Sequence, residues 1–417
     1  MSSEREASQP VGSDLIDIEP VSTEPVGSGR PLLIRVSGRD RPRVIKELLT
    51  LLSDAGATVE DMEQLVVRER LTLDVLARID RADSALVLDV LYWGHANELR
   101  IDFEQVEVDS QRSMLQRHAI TVLGERLTPS ALAAVAGAVA DTGGTVDRIV
   151  RLATDPVTAY DFSVIAGDID QLRRLLLQIA RDQRVDIAVQ AGGLERRAKR
   201  LVVMDVDSTL IRNEMIDLLA EEAGVADRVA EVTEWAMRGE LDFEWSLRER
   251  VRVLQGLDEA AIERVRERIE FTPGARTFVR TLKRLGYAVA IVSGGFTVFT
   301  DWLKQQLDLD HAYANRLEIV DGRVTGEVIG PVVDRARKAQ LLAKIAAAEG
   351  VPLSQTVAVG DGANDLDMLA AAGMGIAFNA KPAVREQAAV TVSVPYLDAI
   401  LFMLGLRGAD VDKGEAE

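Results

Sequence analysis

The sequence predicts an α/β protein: two small βαββαβ units, then a larger domain with a parallel sheet and a helical insertion. Three observations carry this. The first half repeats one strand–helix order twice, as a pattern and not as identity. The second half alternates continuous apolar, β-branched runs with helical stretches, the texture of a parallel sheet covered on both faces. Its unusual polar residues fall directly after the apolar runs, where such sheets carry their chemistry.

Residues 1–30 are rich in Ser, Pro, Gly and acids and read as a disordered acidic arm. The first unit, 31–110, opens with LLIRV (32–36), the Gly-containing loop GRDRP and the helical VIKELLTLLSDAG (44–56). Strand-like runs around 58–69 and 71–80, a helix near 83–98 and LRIDFEQVEV (99–108) complete it. The second unit, 113–191, repeats the order from AITVLGERLTP (119–129) to VDIAVQ (185–190). A small antiparallel sheet with helices on one face is expected for each.

The larger domain spans 200–407, with strands at LVVM, AVAIV, TVAV and MGIAF. Between DVDST and the next core strand an insertion from about Met215 to Phe271 is largely helical and reads as a lid. Residues 408–417 read as a disordered tail.

Composition removes several classes. The formal net charge of -18 argues against nucleic acid or an anionic membrane as partner. With no cysteine there is no disulfide framework and no thiolate metal site, which suits a reducing cytosol. His95, His118 and His311 stand alone, without metal-ligand spacing. The acidic N-terminus lacks the apolar stretch of a signal peptide, and no run approaches the ~18 apolar residues of a membrane span, so a cytoplasmic location is expected.

Four segments should converge at the strand ends: DVDST (205–209), SGGF (293–296), Lys338 opening a helix, and GDGANDLDML (360–369). Two carboxylates two residues apart after a buried strand repel one another and are costly to desolvate, so something positive must hold them. A carboxylate nucleophile, a hydroxyl in a Gly-rich turn, a lysine and a second acidic loop are the parts that cradle a phosphate beside a hard cation. Each alone reads equally as a polar turn. Their order, each after an expected parallel strand, makes the set informative.

That set resembles the haloacid dehalogenase superfamily over residues 200–405, and so implies a Rossmann-like core with a helical cap. DVDST with Glu214 five residues on, and MRGELDFEWSLRERV (237–251), are similar to its phosphoserine phosphatase branch. The βαββαβ order with a Gly-containing first loop resembles the ACT domain, a ferredoxin-like module.

The resemblance implies Asp205 as nucleophile and Asp207 as general acid and then base. It implies Mg²⁺ held by the Asp205 carboxylate, the Asp207 main-chain carbonyl and Asp361, with Asp365 supporting. Ser293, Gly294 and Lys338 would hold the phosphoryl oxygens, with Asn364 beside them. Glu214 would pair with a substrate ammonium and Arg250 with a carboxylate, which makes O-phospho-L-serine the implied substrate. As residues alone, Glu214 and Arg250 read equally as lid surface charges. Met237 and Phe243 read as an apolar wall excluding water, or as lid core. The ACT resemblance implies L-serine or another amino acid as effector near Gly38, Asp40 and Gly124, and a homodimer or higher homo-oligomer. A dimerisation module without ligand is the alternative. For the whole chain, the alternatives are a phosphatase for another small phosphomonoester or for phosphoproteins, and an amino-acid sensor with a vestigial phosphatase domain.

Overall fold

The computed structural model describes residues 31–79, 84–106, 117–192, 196, 198–237 and 242–411. The expected arm over 1–30 and the last six residues lie outside the described residues. The chain forms two compact units, Met1–Met114 and Leu115–Glu417.

The first unit runs β1 (Pro31–Arg39), α1 (Val44–Asp54), β2 (Thr58–Val67), β3 (Arg70–Arg78), α2 (Ser84–Ala96) and β4 (Arg100–Gln105). Its sheet has the order β2-β3-β1-β4 with antiparallel pairs throughout. Period-two alternation makes one face: Ile34 and Val36 of β1 and Leu71, Leu73 and Val75 of β3 are buried. Val44, Leu48 and Leu52, spaced four apart on α1, cover that face.

The second unit starts with the repeat: β5 (Arg117–Gly124), α3 (Pro129–Asp141), β6 (Thr145–Ala153), β7 (Thr158–Ile165), α4 (Ile169–Gln183) and β8 (Asp186–Ala191), in sheet order β6-β7-β5-β8. Thr128 caps α3, its hydroxyl accepting from Ala131 N, and Asp168 caps α4. Unlike β1, β5 is buried on both faces. Ile120, Val122 and Phe162 lie under the helices, whereas Leu123, Ala159 and Ala188 join Leu397 and Ile400 of the larger domain in one core. The edge strands meet too. Buried Asp186 accepts from Ser393 N at 2.7 Å, Ser393 Oγ at 2.9 Å and Thr391 Oγ1 at 3.2 Å.

The larger domain carries a seven-stranded sheet of order β12-β11-β10-β9-β13-β14-β15. Its strands are β9 (Leu201–Met204), β10 (Ala288–Phe296), β11 (His311–Val320), β12 (Arg323–Ile329), β13 (Thr356–Gly360), β14 (Met374–Phe378) and β15 (Val390–Val392). All pairs are parallel except the β11–β12 hairpin. Central β9 is buried along its length because Val202 and Met204 face one core and Leu201 and Val203 the other. Between β9 and β10 come α5 (Met215–Glu222), α6 (Ala226–Met237), α7 (Phe243–Arg252) and α8 (Ala260–Glu267), the helical insertion, followed by α9 (Ala275–Arg284). Beyond β10 lie α10 (Thr297–Leu307), α11 (Arg335–Ala348) and α12 (Leu366–Ala371).

The expected tail begins too early. Gly408 N donates to Leu152 O, Arg284 reaches Asp410 O and Val411 is buried, so 408–411 belong to the folded unit. These contacts are to residues distant in sequence, which tail composition does not reveal. Among the described residues no helix is long and apolar enough to cross a membrane.

Candidate active site

The carboxyl ends of β9, β10 and β13 bring the polar segments together. Asp205 follows β9, its N–H donating to Val359 O of β13 at 2.9 Å. Ser208, at φ 57°, then reverses the chain. Asp205 and Asp207 both reach a cavity of about 630 Å³ between the strand ends and the insertion.

The two aspartates are held differently. Asp205 Oδ1 lies 2.8 Å from Lys338 Nζ and accepts from Val206 N at 2.8 Å. Among the described residues Asp207 has no cation in hydrogen-bond contact; it accepts from Met215 N at 2.8 Å and from Ser293 Oγ at 3.1 Å. Burial, then the charge of Glu214, pushes the Asp207 carboxyl up to about 7.

Lys338 is fully buried and also lies 2.7 Å from Asp365 Oδ1. Burial acts to lower its pKa, but Asp205 and Asp365 outweigh that and hold the ammonium charged. The pair is not symmetric. Burial and then Asp365 raise Asp205 well above the ordinary range even against Lys338, because two carboxylates share one ammonium.

Asp361 extends the negative charge. Thr209 Oγ1 donates to it at 2.9 Å, while burial and then Asp365 raise its carboxyl to about 6. Carboxylate oxygens of Asp205, Asp361 and Asp365 lie within 4.8 Å of one another. Three acids facing one lysine form an all-oxygen set that fits a hard divalent cation. Asp365 is more engaged than a supporting residue: its Oδ2 also accepts from Gly362 N at 3.0 Å. Gly360 is required beside it, since a Cβ there would run into the Asp365 carboxylate.

Ser293 and Gly294 lie where the register of β10 against β11 shifts, between Val292 and Phe296. Gly295 N donates to Ser293 Oγ at 2.7 Å. Buried Asn315 ties this turn down, donating to Gly294 O at 2.7 Å and accepting from Val333 N at 2.7 Å. Asn364, in the turn before α12, faces the same cavity.

The insertion closes the other side. Phe243 Cζ lies 3.3 Å from the position a Cβ on Gly294 would occupy, so this aromatic ring sits over the turn. The side chain of Met237 lies outside the described residues. Glu214 and Arg250 both line the cavity, and Glu214 accepts from Ser208 Oγ at 2.8 Å. Arg250 folds back along α7, its Nε donating to Ser246 O at 3.3 Å. Burial lowers its pKa, opposed chiefly by Asp217.

Sequence reasoning missed Thr209, Asp217, Asn315 and Lys381, the last also on the cavity wall. Asp217 carried a signal, being a polar residue set in the apolar run MIDLLA (215–220). Lys381 carried none.

In the first unit, Gly38 is part of β1 and not of the loop after it. A Cβ there would lie 2.6 Å from Leu99 Cδ2, so intramolecular packing accounts for this glycine. Gly124 ends β5, with Leu127 beside it. Asp40 lines a cavity of about 580 Å³ with Arg41, Arg43 and Gln64.

A parallel sheet with paired acids after its central strand, a buried lysine, a glycine-rich turn and a helical cap defines the class of haloacid dehalogenase-like hydrolases. The model of that class matches residues 202–370, and two ACT domain models match 30–104 and 116–190. A phosphoserine phosphatase of Streptomyces coelicolor is 52% identical over 386 residues, 92% of this chain and 94% of the relative. One of Mycobacterium tuberculosis is 46% identical over 390 residues, 92% and 95%. The unliganded crystal structure of a "probable phosphoserine phosphatase" of Vibrio cholerae has a TM-score of 0.55 at 37% identity, covering 72% of this chain and 90% of that one. The chain belongs to the phosphoserine phosphatase family, with two ACT domains before its hydrolase domain.

Proposed function

We propose that this protein hydrolyses O-phospho-L-serine to L-serine and phosphate through an aspartyl-phosphate, in the cytoplasm, as the last step of serine biosynthesis. The observation that carries the reading is the unequal holding of the two aspartates. Asp205 lies against the Lys338 ammonium, and Asp207, with a pKa of about 7, exchanges a proton near neutral pH.

A carboxylate oxygen of Asp205 attacks phosphorus, and the bond from phosphorus to the serine oxygen breaks as Asp207 gives that oxygen its proton. Asp207 then takes a proton from water as the water oxygen attacks phosphorus. Phosphate leaves and the Asp205 carboxylate returns. The Ser293 hydroxyl, backbone N–H of the Gly294 turn and Lys338 hold the phosphoryl oxygens, with Asn364 beside them. Arg250 binds the substrate carboxylate and Glu214 its ammonium.

Asp205, Asp361 and the Asp207 carbonyl would hold Mg²⁺, with Asp365 closing the set. The cation supplies positive charge to the nucleophile and the phosphoryl group. In the first unit, the Asp40 cavity is the place for L-serine as effector, and the ACT domains are the means of forming a homo-oligomer.

The test is phosphate release from O-phospho-L-serine, against a panel of sugar phosphates, with Mg²⁺ and after chelation. Preferred release from phosphoserine, lost on chelation and restored by Mg²⁺, is expected. Equal rates across the panel would overturn the substrate, and rates unmoved by chelation would overturn the metal.

A further inference from the structure

Hydroxyls around the active-site cavity have partners within the protein, with one exception among the described residues. Ser208 donates to Glu214, Ser293 to Asp207, Thr209 to Asp361, and Thr233 to Val229 O of its own helix. Ser246 is the exception. It lies on the cavity wall, is 1% exposed, and its Oγ has no hydrogen-bond partner. A hydroxyl shut off from water without a partner is destabilising, so its retention there calls for an occupant of the cavity.

The neighbours of Ser246 indicate which part of the occupant it meets. Ser246 and Arg250 are four apart on α7 and share one helix face. The Arg250 Nε–H donates to the main-chain oxygen of Ser246, so the guanidinium is drawn back over the turn that carries the hydroxyl. A carboxylate seated on Arg250 therefore comes beside Ser246. The carboxylate accepts only, and the serine hydroxyl is a free donor with three staggered χ1 positions through which to reach it. Glu214, the partner proposed for the ammonium, lies at the start of α5 and already accepts from Ser208.

We propose that Ser246 is a specificity-determining residue whose hydroxyl donates to the substrate carboxylate beside Arg250. This rests on phosphoserine being the substrate, as proposed above. The Ser246 hydroxyl is then unpaired in the free enzyme and paired in the complex. Its contact is with a group remote from phosphorus, made equally in ground and transition states.

The test compares wild type and Ser246→Ala on three substrates: O-phospho-L-serine, O-phosphoethanolamine (ammonium without carboxylate) and p-nitrophenyl phosphate (neither). For the variant, KM for phosphoserine should rise about 10- to 100-fold, the size expected for one hydrogen bond to a charged group, with kcat little changed. The other two substrates should be unaffected, and the ligand-free variant should melt no lower than wild type. An unchanged kcat/KM for phosphoserine would overturn the assignment. So would an equal fall on all three substrates, which marks a packing role, or an equal fall on phosphoethanolamine, which marks an ammonium contact. Wild type that turns over p-nitrophenyl phosphate and not phosphoserine overturns the substrate reading instead, before the variant is considered.

Discussion

Lys338 Nζ lies 2.8 Å from Asp205 Oδ1 and 2.7 Å from Asp365 Oδ1, and all three side chains are buried. One ammonium thus joins the acid after β9 to the acidic loop after β13. Removing it leaves buried charge without its partner, which typically costs about 3–5 kcal/mol. Lys338→Met should therefore lower the metal-free unfolding midpoint as well as activity. A variant with wild-type stability in chelator would mean that the two acids take up protons at no cost.

Asp205→Asn should abolish turnover while the fold persists, since an amide cannot form the acyl phosphate. Asp207→Asn should slow both half-reactions by about 10²–10⁴-fold, the usual size of lost acid–base catalysis. Rapid-quench measurement should find phosphate on Asp205 accumulating in the Asp207 variant if its hydrolysis is slowed more than its formation. Near-normal rates in folded Asp205→Asn would falsify the mechanism.

Arg250→Ala should raise KM for phosphoserine strongly and hardly affect p-nitrophenyl phosphate, which has no carboxylate. Arg250 is also tied to its own helix through Ser246 O and faces Asp217. An equal loss on both substrates would therefore assign it to the fold of the insertion.

Stability in chelator should fall as pH rises from about 4 to 7. Burial first, then Glu214 for Asp207 and Asp365 for Asp361, raises these carboxyls to about 7 and about 6 from an ordinary 3.8. Their contribution is complete below the unfolded value and is lost as pH passes the folded ones, because the unfolded chain gives up its protons first. Magnesium competes with the proton of Asp361, so its stabilising effect should grow as pH rises through about 6. Melting curves with Mg²⁺ and with chelator, at about pH 5 and about pH 7.5, read this directly. A gap of equal size at both would count against Asp361 as a ligand.

Effector binding in the first unit is better tested at Asp40 than at Gly38. A Cβ on Gly38 would press on Leu99, so Gly38→Ala confounds packing with binding. If L-serine acts through the Asp40 cavity, Asp40→Ala should weaken non-competitive inhibition by serine and leave activity without serine unchanged. Purely competitive inhibition, equal in both proteins, would leave the ACT domains without an effector role.

The sequence by itself determined the elements and where the chemistry falls. Period-two alternation in LLIRV, four-residue spacing in VIKELLTLL and the unbroken apolar run of LVVM are local consequences of which faces each element buries. Asp205, Ser293, Lys338 and Asp361 were legible because each follows such a run or opens a helix after one. Tertiary structure alone decided what each polar group meets. That Asn315 braces the Gly294 turn, that Asp217 faces Arg250 and that Asp186 grips β15 depend on contacts between residues remote in sequence. The second repeat shows the same division. A sheet with helices on one face is expected to bury that face, yet β5 is buried on both, because the larger domain covers the other. Hydrophobic pattern reports what a segment must bury; which partner buries it, and which hydroxyl is left over as at Ser246, is settled when the chain closes.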